Sequence, residues 1–507
     1  MPKNGQNYAT RLNGVIQLVV FSSTVYFFSL MQADPDLWGH IKFGEDLWAA
    51  GKLVRFDPYS FTAYNHPWNN HEWLAELFFY FAYFWQGDAG LLFGKLFVGL
   101  CIAVCLSKIC HIRQYHPLVY AVGMILAIFV ISPGFMIRPQ IFSFLFFTFF
   151  LYILHIYYKL KKNYLFLLPF IMVMWVNLHG GFLMGWALLI LAVSSETIIG
   201  WVSQRKNPQN KLLWMWTGVT SLAVCINPYG YKLLVFLFQS LTVNRDITEW
   251  RPIVWDDLSF LRFKIMACLF IITLCMNIKK SSGWEVCAIL MILFASLRHQ
   301  RHTPFFAIIC APYLIHHLSE TFQSFQKIVK LPHLTKSVFN CLTIFIGLLA
   351  IYQFYSTVSL YAQTKCRIIV SPKEYPVSAV RFLNLNNIQG NIILPFTWGE
   401  YAIWKLYPDC RVSIDGRFRT VYDESVIQAH FIHPDDISRL QELINQYPAD
   451  IFLARQSSFW NTFIKENKNW IYVYSDKVAV IFLHKKILKQ FSSGLQYPKS
   501  EPLPYFP

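Results

Sequence analysis

Apolar runs of close to twenty residues recur along the first two-thirds of the sequence, separated by short polar connectors. A helix needs about 20 predominantly apolar residues to cross the hydrocarbon core of a bilayer. In that core each backbone amide must be satisfied within its own segment or in a closed barrel. Barrel strands alternate polar and apolar positions, and these runs do not, so they read as helices. Charged residues make up 14% of the 507 positions, against about 25% in an ordinary soluble domain. The expected fold class is an α-helical polytopic membrane protein of about 11 transmembrane helices with a small C-terminal α/β soluble domain.

The net charge of +16 does not point to nucleic acid. Lys and Arg fall mostly in connectors flanking apolar spans, where they set topology. No basic stripe interleaved with aromatics runs along a soluble element, as single-strand binding requires. The apolar stretch from Leu12 to Met31 follows a short basic tail and precedes Gln-Ala-Asp-Pro-Asp, so it reads as an uncleaved first span rather than a signal peptide.

Further apolar segments lie near 72–86, 89–107, 117–132, 140–158, 163–177, 181–201, 211–226, 263–277, 283–297, 303–318 and 337–358. If 72–86 stays at the outer surface, every strongly basic connector lands in the cytoplasm: Lys108 with Arg113, Lys159 with Lys161 and Lys162, Arg205 with Lys206 and Lys211, Lys279 with Lys280, and Lys327 with Lys330 and Lys336. Counting 72–86 as a full span reverses the sides of everything after it. The segment is short and amphipathic, with His71, Glu72 and Glu76 at its start. The expected division is a transmembrane domain over 1–360 with a first outer loop at 32–72, a soluble α/β domain over 361–488, and a disordered tail over 489–507. In the soluble part, β-like runs at 391–394, 411–414, 451–454, 470–474 and 478–483 alternate with helical patterns near 377–384, 422–431 and 436–447. Cys366 and Cys410 fall there too, and a disulfide between them would suit an oxidising compartment.

Sidedness fixed by basic residues alone leaves most chemically capable residues on the outer face. Asp34 and Asp36 stand one residue apart where the first span ends. Close carboxylates can share a proton or a divalent cation, and one then has a raised pKa suited to general-base work. Capping of the next helix is the alternative role. His71 and Glu72 return to the membrane surface at the end of that loop. Arg138 at an outer span boundary could hold a lipid-linked phosphate or merely snorkel to the headgroups. His179 lies in a tight Asn-Leu-His-Gly-Gly reversal, where a structural role is the alternative. Arg298, His299, Arg301 and His302 form a cationic cluster that breaks the positive-inside pattern. An anionic ligand such as a phosphate ester explains it, as does pairing with Asp34, Asp36 or Glu72.

Asp-x-Asp at the end of the first span, His-Glu closing the loop, many further spans and a soluble tail domain resemble the GT-C glycosyltransferase superfamily. Among its members the chain is most similar to bacterial membrane proteins grouped with the RgtA/B/C/D-like, PMT-type transferases. The stretches Asp34–His40, Asp57–Thr62, Trp68–Glu76, Arg138–Gln140, Trp175–Phe182, Asn227–Gly230, Trp398–Tyr401 and Ile414–Arg417 carry the resemblance. It implies a GT-C-like fold and transfer of a sugar from a polyprenyl-phosphate donor to a glycan, lipid or protein acceptor on the outer face. It also implies a multi-pass protein of the bacterial inner (cytoplasmic) membrane, with a cytoplasmic N-terminus and a periplasmic C-terminal domain. Asp34 or Asp36 would then be the base, with Glu72 assisting. A divalent ion, Mg²⁺ or Mn²⁺, would be held by Asp36 and Glu72. His71, Arg138, His179, Arg298, His299, Arg301 and His302 would line the substrate site, the last group by charge and side rather than by motif. The rival readings are a ligase of O-antigen-ligase type, which does not need the early carboxylates, and a transporter or flippase, which needs ionisable residues deep within spans. Glu196 and Glu285 are the weak support for the latter.

Overall fold

The structure is a computed structural model and describes residues 3–202, 209–241, 248–329, 336–431, 438–491, 494–498 and 505–506. Arg205, Lys206, Lys330, Pro502, Pro504 and Pro507 lie outside the described residues. The chain forms two compact units, one of Met1–Leu30 with Leu92–Lys365 and one of Met31–Leu91 with Cys366–Pro507. The first outer loop thus folds with the C-terminal residues, not with the spans as the expected division had it.

The first unit is helical. Among the described residues seven segments are long and apolar enough to cross a membrane: Arg11–Phe28, Trp73–Arg113, Pro117–Gly134, Gln140–Leu160, Phe182–Val202, Leu258–Lys280 and Asn340–Thr364. Helices Leu167–Val176, Gln209–Ala223, Gly283–Arg298 and Thr303–Val329 occupy the four other expected spans, and are shorter or more polar. Helix Lys232–Leu241 is an addition inside the expected outer loop 227–262. The interior is aromatic: Phe144 and Phe147 meet Phe305 edge-on, and Trp175 meets Phe150. Arg113, expected in a cytoplasmic connector, is buried instead and pairs with Glu285, whose carboxylate also meets His155 at 3.0 Å. Glu285 is therefore neutralised within the packing, which removes part of the support for a transporter.

Residues 73–91 belong to the second unit. They open a long helix, Trp73–Arg113, whose backbone leaves helical geometry at Gly87 (φ 58°, ψ −143°). That left-handed conformation suits glycine, which has no Cβ. The break falls between 72–86 and the apolar segment that follows it.

The second unit carries a mixed five-stranded sheet: β1 (Gly390–Ile393), β2 (Cys410–Val412), β3 (Ile451–Arg455), β4 (Trp470–Ser475) and β5 (Ala479–His484), in the order β2-β1-β3-β5-β4. β1 is parallel to β2 and β3, and β5 is antiparallel to β3 and β4. All five strands and helices Val377–Leu385, Glu424–His430 and Ser438–Gln446 lie where the residue pattern placed them. Helices Gly399–Leu406 and Phe459–Glu466 were not foreseen, nor was Leu37–Ala50, which fills part of the expected polar loop. Leu37–Ala50 buries Leu37, Trp38, Ile41, Phe43 and Leu47 on one face.

The outer loop also protects the free edge of β2. The Phe61 amide donates to the Val412 carbonyl and the Val412 amide to the Tyr59 carbonyl, both at 3.1 Å. The Thr62 hydroxyl donates to the Ser413 carbonyl at 2.6 Å. An edge strand otherwise exposes unpaired backbone groups. In the expected disordered tail, Tyr505 bridges to Ile369, and buried Phe506 stacks on Trp38. Cys366 and Cys410 are free thiols, and Cys410 donates to the Ile388 carbonyl.

Candidate functional site

Asp36 occupies the N-cap position of helix Leu37–Ala50, yet its side chain makes no capping bond. The Asp34 carboxylate instead accepts the Asp36 amide at 3.0 Å. The Asp36 carboxylate is turned to Gly416, where an added Cβ would collide with Asp36 Oδ1 and Glu400 Oε1 together. Two carboxyl groups, one from the first loop and one from helix Gly399–Leu406, thus line one spot. Glu400 is buried, and its Oε2 accepts the Gly39 amide at 3.1 Å. Gly39 must be glycine for this approach, since a Cβ there would overlap the Glu400 carboxyl. Burial, reinforced by Asp36, Asp415 and Asp34, holds the Glu400 carboxyl well above the usual carboxylate range, with Arg417 opposing. The surroundings of Glu400 thus favour its protonated form beside the half-buried Asp36.

Beneath this pair lies an ion network centred on buried Arg417. Its Nη1 donates to Asp57 at 2.7 Å, and its Nε and Nη2 donate to Asp415 at 2.9 and 2.6 Å. Tyr422 donates to the same Asp415 carboxylate at 2.5 Å. The guanidinium lies over the rings of Trp68, Phe43 and Tyr59 at 4.8, 5.1 and 5.1 Å. Asp57 also accepts the Tyr59 and Ser60 amides, so it shapes the loop and anchors it at once.

Glu72 meets its neighbours in the loop. Its amide donates to Asn70 Oδ1, and its carboxylate lies 3.7 Å from His71 Nε2. The neighbouring Glu76, which carried no role in the sequence reading, is the buried one: it accepts from Asn70 at 2.6 Å and lies 4.0 Å from His40 Nδ1. Burial works to lower the His40 pKa, but Glu76, Glu72 and Asp36 outweigh it and hold it above the ordinary 6.5. A raised folded value means that this ion pair stabilises the unit fully below about pH 6.5 and fades as pH rises through the folded value. Thermal melting followed from pH 6 to 9 should therefore fall more steeply for the native chain than for His40→Asn.

The helical unit assembles the other expected residues. Arg138 pairs with Glu249 at 2.5 Å. Next to Glu249, Trp250 receives the Arg301 guanidinium over its ring at 4.6 Å and accepts from His299 Nδ1 through its carbonyl at 2.7 Å. His302 is half-buried, and desolvation together with Arg301, His299 and His179 pushes its pKa down to about 3, so it is a neutral imidazole. His179 Nδ1 accepts the Gly181 amide at 3.0 Å and meets the Ser143 hydroxyl at 2.7 Å, and Ser143 is itself held by Trp175. Neutral His179 therefore carries its proton on Nε2. Arg138, His179, His299, Arg301 and His302 thus form one neighbourhood. Arg298 lies apart from these contacts, over Phe294 at 5.6 Å.

Among the described residues, Asp36 and Glu72 do not belong to a group of three donors able to hold a metal ion. Sequence reasoning missed Glu400, His40 and Asp57 as site residues, although Glu400 and Arg417 lie in the tail stretches that carried the resemblance.

No protein family matches the chain by sequence, and no curated protein matches it. Solved structures do. The crystal structure of ArnT from Cupriavidus metallidurans in the apo state superposes with a TM-score of 0.52 at 10% identity, covering 95% of this chain and 98% of that one. The cryo-EM structure of the arabinofuranosyltransferase AftD from Mycobacteria gives 0.52 at 11% identity, covering 94% of this chain and 40% of that one. At such identities the agreement concerns architecture: this is a multi-pass membrane protein with a GT-C-like fold.

Proposed function

We propose that the chain is a membrane glycosyltransferase that moves a sugar from a polyprenyl-phosphate donor to an acceptor hydroxyl on the outer face of the membrane. The observation that carries this reading is the carboxyl pair of Asp36 and Glu400 on a fold shared with ArnT and AftD. Asp36 takes the acceptor proton as the acceptor oxygen bonds to the sugar's anomeric carbon. The bond from that carbon to the phosphate oxygen breaks, and polyprenyl phosphate leaves with the electron pair. Within the helical unit, Arg138 and Arg301 supply cations, and His179 and His302 neutral hydrogen-bond donors, of the kind that hold a phosphate group. The upward shift of Glu400 favours its neutral form, which spares Asp36 a second negative neighbour. Mg²⁺ or Mn²⁺ would add charge neutralisation at the leaving phosphate.

The test is incubation of the purified protein with a panel of polyprenyl-phosphate sugars, with and without Mg²⁺ or Mn²⁺. Donor-dependent release of polyprenyl phosphate that disappears in Asp36→Asn is expected. Transfer of a whole preassembled glycan that survives Asp36→Asn would favour the ligase reading, and no turnover with any donor would overturn the proposal.

A further inference from the structure

We propose that His316, His317 and Glu320 form a binding site for a divalent transition-metal ion of the zinc class, within helix Thr303–Val329. This site does not depend on the proposed transfer reaction. One donor atom from each of the three residues lies within 4.8 Å of the others. The i, i+4 spacing puts His316 Nε2 3.9 Å from Glu320, and the i, i+3 spacing puts His317 Nδ1 3.7 Å from it. Tetrahedral zinc bound to imidazole and carboxylate spaces its donors by about 3.4 Å, so a small inward movement closes the set.

Two further observations point to a ligand. The His317 side chain is 1% exposed, and neither of its ring nitrogens has a hydrogen-bond partner. Burying an imidazole without partners is costly, and a metal ion is one group that repays it. His316 is meanwhile oriented as metal-bound histidines usually are: its Nδ1 donates to the Gln114 carbonyl at 3.4 Å, which leaves the Nε2 lone pair directed at Glu320. One Glu320 oxygen is likewise without a hydrogen bond.

Two cations stand nearby. Arg113 is taken up by Glu285 and His155. Lys280 lies 3.8 Å from Glu320, but its side chain is 64% exposed and can swing into water. Two imidazoles and one carboxylate suit zinc or cobalt better than magnesium or calcium, which prefer all-oxygen sets. Three protein donors leave a fourth position for water.

The experiment uses the full chain, purified in detergent through a tag without histidine, stripped with chelator and titrated with Co²⁺. One equivalent should produce the visible absorption of tetrahedral cobalt, and Zn²⁺ should displace it. His317→Leu should keep the elution profile and the metal-free melting temperature, because no hydrogen bond is lost, while binding weakens at least about tenfold. Glu320→Gln should weaken it similarly. Lys280→Gln should tighten binding by about threefold, since an exposed like charge is removed. A simple Lys280–Glu320 ion pair predicts no metal response in that variant. Absence of saturable cobalt absorption, or absorption unchanged in both His317→Leu and Glu320→Gln, would overturn the assignment.

Discussion

Asp36→Asn should lower sugar transfer by a factor of about 10²–10⁴, the range a positioned general base contributes, with melting temperature and elution close to native. Glu400→Gln should behave in the opposite way at pH 7 and retain activity within about tenfold, because Gln reproduces a neutral carboxylic acid and can still accept the Gly39 amide. The two variants separate further with pH. The folded Glu400 pKa is raised, so its contribution to stability is present at low pH and lost as pH climbs from the ordinary carboxylate value through the folded one. In the same upper range a second charge appears beside Asp36. Glu400→Gln should therefore flatten the alkaline limb of the pH–rate profile and raise thermal stability above neutrality. An inactive Glu400→Gln protein of native stability would mean that Glu400 itself transfers a proton, and the roles of the pair would have to be redrawn.

Arg417→Met should destabilise the second unit by about 3–5 kcal/mol, the usual cost of removing one partner from a buried ion network. Asp57 and Asp415 would then face each other without a cation, in a site where Asp415 is fully buried and Asp57 nearly so. Adding Asp415→Asn and Asp57→Asn to Arg417→Met should recover part of that loss, since the stranded charges disappear. Arg417→Lys should fall between, because an ammonium cannot reproduce the three directed N–H bonds and the flat stacking on Trp68. Melting followed by tryptophan fluorescence, with limited proteolysis of the tail domain, reads all three. A melting temperature unchanged in Arg417→Met would sink this account of how the loop and tail are joined.

Much of the architecture is legible in the residues because the bilayer imposes a strong pattern. Apolar run lengths located the helices at the eleven expected spans, seven of which are long and apolar enough to cross a membrane. Alternation and turn residues placed all five strands. Helix Leu37–Ala50 escaped because Gly39 and Gly44 lower helix propensity, and the sequence cannot show that Gly39 makes room for Glu400. Asp34 and Asp36 were visible as a close pair. The functional partner of Asp36 was not, because Glu400 lies in a distant helix and only the tertiary fold reveals which carboxyl is dry. For the same reason the burial of Glu76 was not legible: two acids four residues apart look alike until the fold separates them. The pairing of Asp415 with Arg417 is local, at i, i+2, whereas its extension to Asp57 comes only from the tertiary fold.

The lacing of the first loop to the edge strand of the tail domain has a biosynthetic consequence. Gly39 and Glu400 are 361 positions apart in the chain, so the early loop waits through nearly the whole of translation for its partners. Long-range closure of this kind comes late and slowly. Any product cut short before the sheet is made would insert its spans yet never acquire the dry carboxyl beside Asp36, which ties formation of the proposed site to completion of the polypeptide.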